Sequence, residues 1–99
     1  MRTASLESWK VRLATHLQRY KRYPPAAAAR GQRGIAQLLF SVDRQGHVLS
    51  AKLARGSGYV LLDEETMALI KRAQPLPRPP RDVGGNEFSF TVPVEFKAK

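Results

Sequence analysis

The sequence predicts an α+β fold: two helices packed on one face of a small, mainly antiparallel three-stranded sheet, in the order α-β-β-α-β. Three observations carry this. Two segments repeat apolar residues at spacings of three and four, the helical period. Three others alternate apolar and polar residues, the strand period, and two of these are separated by a short turn. Each segment has one strongly apolar side, and a helix layer laid on a sheet is the simplest way to bury all five.

Residues 5–22 read as the first helix. Ser5 is its candidate N-cap. Leu6, Trp9, Leu13, Leu17 and Tyr20 form one apolar stripe, while Lys10, Arg12, Arg19, Lys21 and Arg22 lie mostly off it. Pro24 and Pro25 end the helix, because a residue before proline is pushed out of the α region. Ala26–Arg30 can form a helical turn within a small-residue connection that Gly31 and Gly34 punctuate.

Residues 35–43 read as a strand with Ala36, Leu38, Phe40 and Val42 on one face. Ile35, Gln37, Leu39, Ser41 and Asp43 take the other. Asp43-Arg44-Gln45-Gly46 is a turn, with glycine where a positive φ is expected. Residues 47–55 form the return strand of the hairpin. Val48 and Leu53 differ in parity, which a β-bulge would reconcile. Gly56-Ser57-Gly58 breaks that strand, and Asp63 is the candidate cap of the second helix, with Glu64 and Glu65 in its first turn. Leu62, Thr66, Leu69 and Ala73 form its inward face, with Met67 and Ile70 beside them. Pro75-Leu-Pro-Arg-Pro-Pro80 reads as an extended connection. Gly84-Gly85-Asn86 turns the chain into residues 87–96, the cleanest strand pattern. Phe88, Phe90, Val92, Val94 and Phe96 share one side of it. Pro93 cannot donate to a ladder, which makes this strand an edge strand or a bulged one.

With 99 residues, 42% of them hydrophobic, the chain fits a single domain with one core. We read residues 1–99 as that domain, with residues 1–8 as linker or non-native sequence. No uninterrupted apolar run exceeds four residues, far below the roughly 20 of a membrane helix, and no signal-peptide pattern opens the chain. The absence of cysteine excludes disulfide scaffolds, thiolate catalysis and cysteine-ligated zinc. The net charge of +9 is concentrated: residues 1–33 hold eight basic residues and one acid, Glu7. Such asymmetry points to an acidic partner.

Catalytic chemistry finds little support. His16 and His47 have no neighbouring set of ligands, and no metal or other cofactor is expected. Ser57, His47 and Asp63 lack a nucleophile-elbow context, and Asp63-Glu64-Glu65 suits a helix start better than an acid-base pair. Gly56-Ser57-Gly58 lacks the spacing of a phosphate loop. The expectation is a non-enzymatic binding module. Arg19-Tyr20-Lys21-Arg22-Tyr23 interleaves cations and aromatics as nucleic-acid binders do. However, the last strand needs its apolar side for the core and shows no aromatic on the other, so nucleic acid is not the expected partner.

From residue 9 to residue 97 the pieces resemble the C-terminal domain of the TonB family. They are Tyr23-Pro24 after a basic helix, Gly34-Ile-Ala-Gln-Leu-Leu-Phe-Ser-Val-Asp43, Gly46-His-Val48, Gly56-Ser-Gly58, Leu62-Asp63, Ala73-Gln-Pro-Leu-Pro77 and Phe90-Thr-Val-Pro-Val-Glu-Phe96. Their order and spacing, more than any one piece, make the likeness. The basic helix and Gln18-Arg-Tyr-Lys-Arg-Tyr-Pro24 look most like the haem-uptake subtype, HasB. The resemblance implies the periplasmic domain of a protein anchored in the inner membrane of a Gram-negative bacterium. It implies proton-motive-force energy received through ExbB and ExbD, and a grip on the TonB box and plug of outer-membrane transporters for siderophore or haem uptake. It places the TonB box on Ser89, Phe90, Thr91, Val92, Pro93, Val94 and Glu95, and a transporter contact on Tyr20, Lys21, Arg22, Tyr23 and Pro24. The family often has glutamine in that second stretch, so Lys21-Arg22 implies charge in place of amide contacts. The exposed edge also permits strand exchange into a homodimer. A TolA-like periplasmic scaffold would share the architecture but ignore a TonB box.

Overall fold

The computed structural model describes residues 2–97, and side chains from Ser5 to Lys97. The elements are α1 (Arg2–Tyr20), α2 (Pro25–Ala29), β1 (Gly34–Val42), β2 (Val48–Arg55), α3 (Val60–Arg72) and β3 (Phe88–Phe96). The α+β class and the order of the five main elements match the sequence reading, and the Ala26–Arg30 turn is a short third helix. No helix among the described residues is long and apolar enough to cross a membrane.

The strand periods decide the sheet. β1 pairs antiparallel with β2 on one side and with β3 on the other, in the order β2-β1-β3. β3 is therefore an edge strand, the first of the two placements that Pro93 allows. Register shifts between Gln37 and Leu38 and between Ser41 and Val42 bring Leu53 opposite Leu38 and Val48 opposite Val42. Those bulges resolve the parity mismatch between Val48 and Leu53.

One side of the sheet is covered by the helices. Ala36, Leu38, Phe40, Val42, Val94 and Phe96 are buried beneath Trp9, Leu13 and Leu17 of α1 and Leu62, Leu69 and Ile70 of α3. Each such large apolar side chain contributes about 1.5–3 kcal/mol on burial. Trp9 is fully buried; its indole N–H donates to the Pro77 carbonyl at 2.9 Å. Its ring stands edge-on to Phe88 at 5.2 Å and to Phe90 at 5.0 Å. The indole thus joins α1 to β3 and to the proline-rich connection.

Two helix starts differ from the sequence expectation. α1 begins at Arg2, so Ser5 lies inside it, and the Ser5 hydroxyl donates to Asp82 Oδ2 at 3.1 Å instead of capping. α3 begins at Val60 with Tyr59 in the cap position. Asp63 falls in the first turn, and its Oδ1 accepts the Ser57 N–H at 2.8 Å. It ties the glycine loop, six residues back, to the helix, a use of a carboxylate that resembles a cap only in sequence. Of the three acids only Asp63 lies in the first turn; Glu65 lies further along and pairs with Arg72. α1 ends at Tyr20, two residues before the expected Arg22. There Arg72 Nη1 takes the Tyr20 carbonyl at 2.6 Å and Glu65 Oε2 takes the Arg22 N–H at 2.8 Å. Those partners replace the bonds that another helical turn would have used.

The hairpin turn anchors the loop that precedes β3. Arg44 donates to the carbonyls of Gly85 (2.8 Å) and Val83, and its guanidinium lies 5.4 Å from the Phe88 ring. Gly46 sits at φ +85, and a Cβ there would lie 2.0 Å from the Leu76 carbonyl oxygen. Gly31 also has a positive φ, +68, but open space around it. Gly31→Ala should cost about 1 kcal/mol from backbone strain alone. Gly46→Ala should cost about 3 kcal/mol or more, because the backbones of turn and connection must separate. Urea unfolding of both variants checks the difference.

Asp43 closes the same turn through its Oδ1, which accepts the N–H groups of Gln45 and His47 at 2.9 Å each. The bond from His47, more than any other influence, holds the Asp43 carboxyl below the usual carboxylate range. A depressed folded pKa stabilises above the unfolded value, near pH 4, and that contribution is lost as pH falls through the folded value. Asp43→Asn should therefore flatten the acid limb of the melting temperature against pH while leaving the neutral limb parallel to that of the parent protein.

Candidate functional site

The site is the outer edge of β3, and backbone direction defines it. Asp43 donates across the hairpin to the His47 carbonyl at 3.0 Å. In an antiparallel ladder alternate residues point the same way, so odd-numbered residues of β1 face β2 and even-numbered ones face β3. β3 pairs with β1 from Phe88 opposite Val42 to Phe96 opposite Gly34, and Pro93, opposite Gln37, causes no shift. Phe90, Val92 and Val94 therefore bond to β1. Ser89, Thr91, Pro93 and Glu95 turn their backbone groups to the free edge. Pro93 stands where its missing N–H costs the ladder nothing. The contact from Lys21 agrees: its ammonium donates to the outward carbonyl of Glu95.

Side chains follow the other alternation. Phe90, Val92 and Val94 pack toward the core, and Val94 is buried. A groove of about 310 Å³ runs beside the edge, lined by Ala14, Leu17 and Gln18 of α1 and by residues 92–95 of β3. Burial pushes the Lys21 ammonium below its ordinary pKa; the Glu95 carboxylate opposes that shift and Lys97 adds to it.

The stretch 20–24 lies at one end of this edge, and its members do different things. Tyr23 is half-buried, its hydroxyl donates to the Gln32 carbonyl, and its ring stands 5.5 Å from Phe96, edge-on. It is a structural post for the end of β3. Tyr20 is 43% exposed and leans on His16, with ring centroids 4.9 Å apart. His16 Nε2 donates to the Ala73 carbonyl at 2.7 Å. The Arg22 side chain is exposed while its N–H is held by Glu65. Pro24 is half-buried and precedes α2. Among the described residues no group of three or more histidine, aspartate and glutamate side chains is arranged to hold a metal ion.

An edge strand with a side-chain groove beside it is a place to add a strand, and relatives of this chain are known. The profile of the Gram-negative bacterial TonB protein C-terminal family matches residues 19–98. The chain belongs to that family. It is 43% identical over 82 residues to the TonB protein of Pseudomonas putida, covering 83% of this chain and 34% of that one. It is 26% identical over 95 residues to the TonB protein of Pasteurella multocida, covering 96% and 36%. The chain thus spans about a third of the length of these curated relatives. Its fold is like that of the Helicobacter pylori TonB C-terminal domain in solution, with TM-score 0.79 at 22% identity over 93% and 82% of the two chains. The HasB C-terminal domain matches at 42% identity with TM-score 0.59, over 89% and 68%.

Sequence reasoning missed what holds the 20–24 stretch of this TonB-family domain in place. Glu65 and Arg72 form a two-pronged pair at 2.8 and 2.9 Å, with the Glu65 side chain only 9% exposed. Their separation of seven residues, two helical turns, puts both on one face of α3. Removing one partner leaves an uncompensated, partly buried charge. Glu65→Ala should cost about 2–3 kcal/mol in chemical unfolding. It should also raise amide hydrogen exchange at Arg22, whose N–H loses its acceptor.

Proposed function

We propose that this domain binds the N-terminal TonB box of an outer-membrane transporter as a fourth strand along β3, with a second contact at Tyr20, Lys21, Arg22, Tyr23 and Pro24. The observation that carries the reading is the outward row of backbone groups at Ser89, Thr91, Pro93 and Glu95 beside an open groove. Such a row gives affinity through main-chain hydrogen bonds and asks little of the ligand's sequence. Membership of the TonB family supports a role in energy transduction. In that role this is the periplasmic end of an inner-membrane protein driven through ExbB and ExbD. The transport it serves is siderophore or haem uptake, and likeness to HasB at 42% identity is what brings haem into the reading.

Within the proposed second contact the residues differ in their surroundings. Tyr23 and Lys21 already have internal partners, whereas Tyr20 and the Arg22 side chain are exposed. The exposed pair is the part that meets the transporter's plug.

Strand addition has a signature that needs no change in the protein. In a bound strand only alternate N–H groups face β3. A set of TonB-box peptides, each N-methylated at one residue, should split in two. Methylation at alternate positions should weaken binding about tenfold or more, and at the intervening positions hardly at all. Chemical shift changes in labelled protein should centre on residues 88–96. A uniform loss across the set, or shifts that spare β3, would overturn the reading.

A further inference from the structure

Part of the positive charge on α1 lies on a face that the strand edge does not use. Arg12, Thr15, His16 and Arg19 border one open cavity of about 270 Å³, with Pro77 of the connection on its far side. Arg12, His16 and Arg19 follow one another at spacings of four and three, which is one row on a helix. Lys10 and Lys21 belong to the other side, over Phe90 and Phe96 of β3. His16 is half-buried and held in place. Its Nε2 donates to the Ala73 carbonyl at 2.7 Å, and its ring lies 4.9 Å from that of Tyr20. The imidazole is therefore a fixed post between two arginines.

Those arginines have no counter-charge. Among the described residues no carboxylate borders the cavity, and neither Arg12 nor Arg19 forms an ion pair. Glu7, the one acid of residues 1–33, faces Lys10 at 3.4 Å, and Glu65 is taken by Arg72. Two guanidiniums on one hollow thus wait for an anion from outside. The shape of the pair selects which anion. Seven residues of helix separate Arg12 from Arg19, a rise of about 10 Å, so the two forks enter the hollow from its two ends. A carboxylate has two oxygens in one plane, and a single fork takes both. A phosphate is tetrahedral, so it offers separate oxygens to each fork and another to the Thr15 hydroxyl. Its charge of roughly one to two at neutral pH is what two arginines balance.

We propose that the Arg12, His16 and Arg19 face of α1 binds a phosphate group, carried by a soluble ester or by the headgroup of an anionic lipid. The site lies across the helix from β3 and does not depend on strand addition, so both ligands can be held at once. Arg78, next to Pro77, is exposed as well. An array of headgroups would therefore meet more charge here than one soluble ester does.

The test titrates the full labelled chain at low salt with glycerol phosphate and with malonate, a compact dianion that has no tetrahedral centre. Glycerol phosphate should shift the side-chain signals of Arg12 and Arg19 and the amides of Thr15 and His16, and should bind about tenfold more tightly than malonate. Arg12→Gln/Arg19→Gln should weaken it about tenfold or more. Arg30→Gln/Arg33→Gln removes the same charge from exposed positions elsewhere and should weaken it about twofold at most. Sedimentation with vesicles of equal parts phosphatidylcholine and phosphatidylglycerol, against phosphatidylcholine alone, separates the two sources. Retention on the mixed vesicles by the parent chain and not by Arg12→Gln/Arg19→Gln assigns the site to a lipid headgroup. Binding of glycerol phosphate without retention assigns it to a soluble ester. Equal affinity for malonate and glycerol phosphate, equal losses in the two variants, or no response to either form of phosphate would overturn the proposal. A TonB-box peptide should bind along β3 equally well in Arg12→Gln/Arg19→Gln and in the parent chain, so failure of the phosphate site leaves strand addition standing.

Discussion

The placement of α1 depends on the indole of Trp9. A helix lying on a sheet can slide and rotate unless something fixes it, and apolar contacts alone are tolerant of both. Trp9 removes that tolerance. Its N–H must find an acceptor when buried, and Pro77 supplies the one carbonyl that it bonds. Its ring meets Phe88 and Phe90 edge-on, so the start of β3 and the middle of α1 are held at one angle. At the other end Tyr23 repeats the arrangement against Phe96. Three edge-on aromatic contacts, two from Trp9 at the start of β3 and one from Tyr23 beyond the helix end, thus hold α1 and the strand side by side. The groove along the edge is the space that this alignment leaves.

An open edge is a hazard as much as a site, since any strand can pair with it. Three features here restrain it. Pro93 removes one outward donor, Lys21 occupies the outward carbonyl of Glu95, and two ammonium groups stand beside the row. On the far side of the sheet, Lys52 and Arg55 sit on β2, whose ladder is interrupted by the two register shifts. A second copy of this chain laid along β3 would bring its own cations against these. With a net charge of +9 the copies repel, whereas a strand bearing carboxylates carries no such penalty.

The sheet was legible in the sequence because its signals are local. Five alternating apolar residues announce β3, one proline announces its edge position, and the mismatch of Val48 and Leu53 announces a bulge. The helix boundaries were less legible because their partners are distant. Ser5 has the side chain of a cap, but its acceptor is Asp82, 77 residues away in sequence. Asp63 likewise looks like a cap and serves the loop at Ser57. The end of α1 is decided by Glu65 and Arg72 on another helix. The candidate site was legible only in part. That β3 is an edge followed from pattern and proline, whereas its use by a partner came only from the family resemblance. In contrast, the stretch 20–24 read as one contact surface and proves to be divided between structural posts and exposed groups. Arg44, which bonds three carbonyls of the connection, gave no local sign of its task.

Strand addition poses a general problem of discrimination. Main-chain bonds hold every sequence about equally, so they cannot tell one extended peptide from another. Selection must come from side chains that the added strand meets, and those are few. On one side lies the open face of the sheet, with Ser89, Thr91 and Pro93, which offers little charge. On the other lies the flank of α1. In this chain Lys10 on that flank and Lys21 just past the helix end stand over Phe90 and Phe96, while Arg12 and Arg19 are turned to the opposite side. Four cations of the N-terminal excess therefore fall into two groups on either side of the helix. Only the part beside β3 can act on a peptide at the edge, and the part around Arg12 and Arg19 lies across the helix from it. A partner that uses both must wrap the helix, which an extended segment followed by a folded body could do and a short peptide could not.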